Sequence, residues 1–414
     1  MTTTFDKDLE LIFQRLTSDQ QVKQALNFLK QDATNTITQQ KELVLIEAPT
    51  FHEEQRSLHY AQLLKEAGLQ DVVIDEKFNV YGKIYGSGQT GKSILLEGHL
   101  DTVFAFGTVT EVLEKDGKIY APGICDDTRA LAANLSVIRA LTTNALKPYH
   151  DIIVAGTVAE EGLGAMSGMK YLVNNKADEI LAAISIDGPS NDVMYFNATG
   201  MINYDVTYTG PGGHAYLAFG TPSATHAMGR SIAALSDIQV PEIPKTTFTV
   251  SLVSGGQAIH GIAQSANFKI NMRSDSAEVL AQMEQQALAI FQQGADAENA
   301  RWHKQDAVKV AFNKIMDVPA GSQSETCRMV QAAKLATLAC GITPQPRLGG
   351  CTNSNMPIAL GIPAVTLGRG GAEYGTHTID EWFDPTGVYI CEQKSLLLLL
   401  ALAGLTDVTI APQL

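Results

Sequence analysis

The sequence predicts an α/β protein of two domains, one inserted into the other. Three observations predict it. The chain has 414 residues, more than one ordinary core accommodates, since domains usually hold about 100–200 residues. Short apolar runs alternate with longer helix-like patterns in the first half and again near the end, as parallel strands joined by helices require. Between those parts the texture changes to period-two alternation, the pattern of half-exposed strands in an antiparallel sheet. These changes assign 1–197 and 317–414 to the larger domain and 198–316 to the inserted one.

In the larger domain the pattern predicts strands at 93–97, 152–158 and 181–186, with helices at 128–141 and 165–174. In the inserted domain "MINYDVTYTG", "TTFTVSLVSG" and "ANFKINMRSD" alternate as strands, with helical patterns at 223–235 and 277–291. After about residue 318 the α/β texture returns, with a helix at 323–339, a strand at 364–367 and a last helix from 386. The apolar run "SLLLLLALAGL" is about half the ~20 residues a membrane span needs, so a buried terminal helix is expected.

The formal charge of −14 argues against a phosphate backbone or an anionic membrane as partner, because both need a basic surface. Five cysteines without a CxxC pair give neither a disulfide framework nor a thiolate metal site, which fits a reducing cytoplasm. The N-terminal "MTTTFDKDLE" lacks the basic patch and apolar run of a signal peptide.

Ligands of open α/β sheets gather beyond the carboxyl ends of the strands. Four apolar strand cores here run out into acids or histidine: "SILLEGHLD" into His99 and Asp101, "IIVAGTVAEE" into Glu160 and Glu161, "AAISIDG" into Asp187, and "AVTLGRGGAEYGTH" out to His377. Asp126 and Asp127 open a helix in "PGICDDTRALAANL", where an aspartate can cap the first turn. Each feature alone has a commonplace reading as loop, turn or cap. Their convergence at one end of a sheet gives a chemically complete set, because imidazoles with carboxylates suit Zn²⁺ and a shared carboxylate can hold two ions about 3.5–4 Å apart. Asp101, two residues beyond His99, points the same way along the strand and can take the proton on the second ring nitrogen.

These motifs resemble the di-zinc metallopeptidase and amidase family that includes peptidase T, glutamate carboxypeptidase, acetylornithine deacetylase and aminoacylase, collinearly from about Glu42 onward. The resemblance implies a zinc-peptidase-like α/β/α catalytic domain with an inserted α+β, ferredoxin-like lid and dimerisation domain. "GHLDTV" then makes His99 a zinc ligand and Asp101 its orienter, and "GICDDTRA" makes Asp126 the bridging carboxylate. "VAEEGLGAMSG" makes Glu160 the general base and Glu161 a ligand of the second ion. "SIDG" supplies Asp187 to the zinc held by His99, and "EYGTHTIDEW" supplies His377 to the zinc held by Glu161. The resemblance also implies a cis peptide between Asp126 and Asp127. In the inserted domain it makes His214 of "GPGGHAYLAFG" an oxyanion donor acting across a homodimer, and Arg273 of "FKINMRSD" a partner for substrate carboxylate. "GGCTNSNMPIALGIPAVTLG" resembles the loop in which Asn355 and Gly368 line the site. Two positions depart from the pattern: Thr128 stands where a lysine is usual, and Asn353 where an aspartate is common.

The implied cofactors are two Zn²⁺ ions, with Co²⁺ or Mn²⁺ as substitutes. The expected activity is hydrolysis of amide bonds in small peptides from one end, since aspartate at the position of Asp187 accompanies aminopeptidases and di- or tripeptidases in the resembled family. The alternatives are deacylation of N-acyl amino acids, glutamate carboxypeptidase-like activity, and a non-catalytic relative that binds metal or peptide. The presence of Glu160 speaks against the last.

Overall fold

In the computed structural model residues 5–406 are described, so the N-terminal stretch read for a leader lies partly outside that range. Contacts divide the chain into two compact units, Met1–Ala198 with Ser322–Leu414, and Thr199–Gly321.

The larger unit is built on an eight-stranded mixed sheet. Its centre is four strands in the order Asp151–Thr157, Ser93–His99, Ile180–Gly188 and Ala364–Gly368, each parallel to the next. All residues of Ser93–His99, Asp151–Thr157 and Ala364–Gly368 are buried, which is why these strands read as mainly apolar runs. The sheet is not wholly parallel: Val80–Ile84 pairs antiparallel with Asp151–Thr157, and Gln70–Ile74 antiparallel with Val80–Ile84. The helix Thr128–Thr143 packs against Ser93–His99 and against the long helix Gln20–Leu45. The last helix, Ile390–Ala403, has all but two of its side chains buried, and among the described residues no helix is long and apolar enough to cross a membrane.

Three helix starts come later than the pattern predicts, each for a visible reason. Ala165 and Met166 have φ of +49° and +58°, so that helix begins at Ser167. Gln323 is tied by its side chain to the Phe196 carbonyl at 2.8 Å and by its N–H to Asn197 Oδ1 at 3.1 Å, which leaves the helix to start at Arg328. Gly387, with φ of +68°, turns the chain before the terminal helix can begin at Ile390.

The second unit is a four-stranded antiparallel sheet in the order Thr246–Gly255, Ser265–Ser274, Gly200–Thr209 and Lys309–Val318. Its helices, Ala224–Ser236 and Ala277–Arg301, pack on each other and on the sheet around Val206, Tyr208, Phe268 and Phe291. The chain order strand, helix, strand, strand, helix, strand is the split β-α-β arrangement expected of a ferredoxin-like unit.

Leu398 is wholly buried in the terminal helix, whereas Leu338 is 42% exposed on Arg328–Ala339. Leu398→Ala should lower stability by about 2–5 kcal/mol in urea titration. Leu338→Ala should change it by no more than about 0.5 kcal/mol.

Candidate metal centre

Four strand ends and one helix start bring the acids and imidazoles of the larger unit together. His99 is the last residue of Ser93–His99 and is 1% exposed. The preceding residue must be glycine, because a Cβ at Gly98 would lie 2.8 Å from Ala130 Cβ on the crossing helix. His99 donates its backbone N–H to Asp127 Oδ2 at 3.0 Å. Asp127 is therefore occupied by the strand and makes no side-chain cap to the helix it precedes, contrary to the capping expectation.

The ring of His99 is held at both nitrogens. Nδ1 lies 3.1 Å from the Asp101 carbonyl oxygen and 3.3 Å from Asp101 Oδ1. Nε2 lies 2.9 Å from Asp126 Oδ1 and 3.9 Å from Asp187 Oδ1. Asp101 does more than orient the ring: its Oδ1 and Oδ2 accept the N–H groups of Glu160 and Glu161, each at 3.0 Å. One buried carboxylate thus fixes both a histidine and the paired glutamates.

Asp126 faces two ways. While Oδ1 meets His99, Oδ2 lies 3.2 Å from His377 Nε2, which is itself 2.8 Å from Glu161 Oε1. The ligand atoms fall into three overlapping groups, each within 4.8 Å: His99 with Asp126, Asp127 and Asp187; His99 with Glu160 and Glu161; and Asp126 with Glu161 and His377. The Asp126–Asp127 peptide is cis.

A metal can be tested against this donor set. Atoms about 2.0–2.2 Å from one tetrahedral ion lie roughly 3.3–3.6 Å from one another. The separations of 2.8, 2.9, 3.2 and 3.9 Å bracket that spacing, and imidazole with carboxylate is the donor chemistry of such ions. The residues fit two divalent ions sharing Asp126.

Protonation follows from crowding. Burial raises Glu160 well above its ordinary 4.5, and neighbouring acids add to it. Burial and then the charge of Asp126 push Asp187 up to about 8. Burial would raise Asp126 too, but Arg369, His377 and His99 outweigh it and hold that carboxyl well below its usual range. Hydrogen bonds to Asp126 and Glu161 push His377 up to about 10. Burial opposes the charge of His99, yet Asp127, Asp101 and Asp126 together raise it well above 6.5.

Two residues of this centre are absent from the sequence reading. Arg369 is 4% exposed and places Nη1 2.6 Å from Asp126 Oδ1 and 3.2 Å from Asp187 Oδ1, with Nη2 3.1 Å from Glu373. Glu381 accepts the N–H groups of Gly123 and Cys125 at 2.8 Å and of Asp126 at 3.4 Å, so it shapes the turn that presents Asp126. Both lie in motifs already in view, "GRGG" and "TIDEW". A search confined to acids and histidines at strand ends passes over an arginine, and a glutamate used for backbone amides carries no sequence mark.

A cavity of about 240 Å³ opens on the centre, lined by Asp126, Glu160, Glu161, Asp187, Arg369 and His377 on the acidic side and by Gly349–Thr352 with Tyr195 elsewhere. Asn355 and Gly368 lie one layer back. Asn355 is 1% exposed and its Oδ1 accepts the Thr352 N–H at 3.1 Å; Gly368 is held against the neighbouring chain, where a Cβ would lie 1.6 Å from the Ser190 carbonyl. His214 and Arg273 belong to the second unit. There His214 is exposed, with Nδ1 accepting the Tyr216 N–H at 3.3 Å, and Arg273 is an exposed strand residue bonded to Asn271.

A family model described as Peptidase family M20/M25/M40 matches residues 95–400. Acetylornithine deacetylase of Myxococcus xanthus is 27% identical over 254 residues, 56% of this chain and 65% of the relative. Carboxypeptidase G2 of Pseudomonas sp. (strain RS-16) is 32% identical over 159 residues, 37% of this chain and 36% of the relative. The chain therefore spans less than two thirds of either relative's length. Among solved structures, the aminopeptidase PepT of Bacillus cereus superposes with a TM-score of 0.74 at 19% identity, covering 89% of this chain and 98% of that one. A tripeptidase of Staphylococcus aureus gives 0.74 at 20% identity, covering 89% and 97%. At those identities the likeness is one of fold.

Glu381→Ala should weaken metal binding about 10–100-fold, read by titration against a competing chelator, because the backbone presenting Asp126 loses its partner. Because the surrounding carboxylates favour the protonated form of both metal-free imidazoles, metal uptake should release protons and weaken as pH falls. Calorimetry in buffers of different ionisation enthalpy measures both.

Proposed function

The chain belongs to Peptidase family M20/M25/M40, and on that premise we propose that it is a metal-dependent hydrolase of amide bonds in small substrates, an exopeptidase of short peptides. The observation that carries this reading is Asp126, whose two oxygens face different imidazoles at 2.9 and 3.2 Å beside a buried, raised glutamate.

His99, Asp126 and Asp187 would hold one ion, and Asp126, Glu161 and His377 the other, with zinc as the proposed metal. A bound pair supplies Lewis-acid polarisation of a carbonyl and makes water acidic enough to ionise near neutral pH. The remaining chemistry falls to the chain. Glu160 lines the cavity, and its backbone is fixed by Asp101, so its carboxylate has a defined position from which to take a proton from water and return it to the leaving amine. Burial raises its pKa above the ordinary carboxylate value, which makes it a stronger base than an exposed glutamate. Asp101 also holds Nδ1 of His99, which leaves Nε2 aimed at Asp126 and Asp187.

His214, exposed in the second unit, is proposed to donate to the oxyanion of the partner subunit's reaction in a homodimer, and Arg273 to receive a substrate carboxylate. Aspartate at 187 supports peptides over N-acyl amino acids through the family resemblance. The names of the fold neighbours, an aminopeptidase and a tripeptidase, point the same way. Deacylation is the second reading, supported by the relative named as a deacetylase.

With zinc or cobalt present, unblocked tripeptides should be cleaved faster than N-acetyl amino acids; the reverse order would favour deacylation. Glu160→Ala should cut kcat about 10²–10⁴-fold while metal content is unchanged. For wild type, kcat/KM should fall on acidification, since the base must be unprotonated to accept a proton from water. His214→Ala should cost about 10²–10³ in kcat. Mixing inactive Glu160→Ala and His214→Ala proteins should recover activity only if His214 acts across subunits.

A further inference from the structure

Glu97 has no part in the chemistry above, yet it is 1% exposed and lies two residues before His99 on the same strand, on the same side of the pleat. A buried carboxylate needs donors, and it has three. Ser185 Oγ donates to Glu97 Oε1, while Thr157 Oγ1 at 3.1 Å and Asn353 Nδ2 at 3.0 Å donate to Oε2. Asn353 Nδ2 also donates to Thr157 Oγ1 at 2.9 Å, and Asn353 Oδ1 has no hydrogen-bond partner. Asn353 therefore acts here as a donor only.

Asn353 sits in the loop whose residues Gly349–Thr352 form one wall of the cavity. A second anchor joins the same loop to the Ala364–Gly368 strand, where Thr352 Oγ1 and Ser354 Oγ lie 2.6 and 2.7 Å from Thr366 Oγ1. The strand that carries His99 thus also carries the acceptor for the opposite element of the cavity. We propose that Glu97 and Asn353 are a matched acceptor and donor that position this wall for substrate, so that both are positioning residues. The pairing accounts for asparagine at 353. An aspartate there would set a second carboxyl against buried Glu97 and could bond to it only by taking up a proton. The tether itself stands on geometry alone; its bearing on substrate rests on the hydrolase reading.

The test is a double-mutant cycle on the full-length, metal-loaded protein, with Asn353→Asp, Glu97→Gln and the two combined, since glutamine at 97 restores the missing donor. Hydrogen exchange of residues 349–355 and steady-state kinetics on the best peptide substrate are the readouts. Asn353→Asp should speed exchange of the loop at least about tenfold and raise KM by a similar factor, with kcat within about threefold. The combined variant should return both to within about threefold of wild type. The proposal is overturned if the combined variant is no better than Asn353→Asp alone, if Asn353→Asp leaves exchange unchanged, or if it lowers kcat with KM fixed. Should Asn353→Asp fail to fold, Asn353→Ala removes the donor without adding a charge, and unchanged loop exchange in that variant overturns the tether equally. If wild type cleaves no peptide, the hydrolase reading fails by itself and exchange alone decides the tether.

Discussion

The centre depends on the carboxylate of Asp126 being shared by two imidazoles that come from opposite ends of the motif series. Three restraints put it there. Glu381 collects the amide hydrogens of the turn before it, His99 meets one oxygen and His377 the other. His377 reaches that position with φ of +66°, in the left-handed region that few non-glycine residues occupy. The elements that supply these groups lie far apart along the chain, so the sheet is what makes them neighbours.

Such a cluster is costly to bury, because carboxylates forced together in a low-dielectric interior oppose one another's ionisation. The structure answers with fixed positive and donor groups. Arg369 puts its guanidinium against Asp126, Asp187 and Glu373, and its carbonyl accepts from buried Arg129 at 3.0 Å. Asp101 takes two backbone amides and a threonine hydroxyl along with His99. What remains unbalanced appears as raised pKa values at Glu160, Asp187 and Asp127, the last with a buried Oδ1 that has no hydrogen-bond partner and only Arg369 Nη1 at 3.8 Å. Cations brought to the centre would relieve that excess of negative charge.

The parts of this legible in the sequence are those that burial writes into composition. The central strands read as mainly apolar runs because both their faces are covered, and His99 and Asp187 at their ends and Glu160 and Glu161 just beyond stand out as polar residues. The strand Lys309–Val318 went unread because most of its residues are exposed, and Lys314 with a register shift before Met316 interrupts its apolar alternation. Helix starts shifted where a single side chain or a left-handed residue overrode propensity, as at Gln323 and Gly387. Arg369, Glu381 and the Glu97–Asn353 pair were not legible because their roles lie in contacts across long sequence separations, which no local pattern records.

The central claim is that one carboxylate serves two metal positions. The most direct measurement is the metal stoichiometry of Asp126→Ala beside wild type, by elemental analysis after zinc loading and by anomalous scattering from crystals. Two ions per chain are expected in wild type, with loss or marked weakening of both in the variant. Wild type that takes up no ion, or a variant that loses only one while the other binds as before, would contradict that claim.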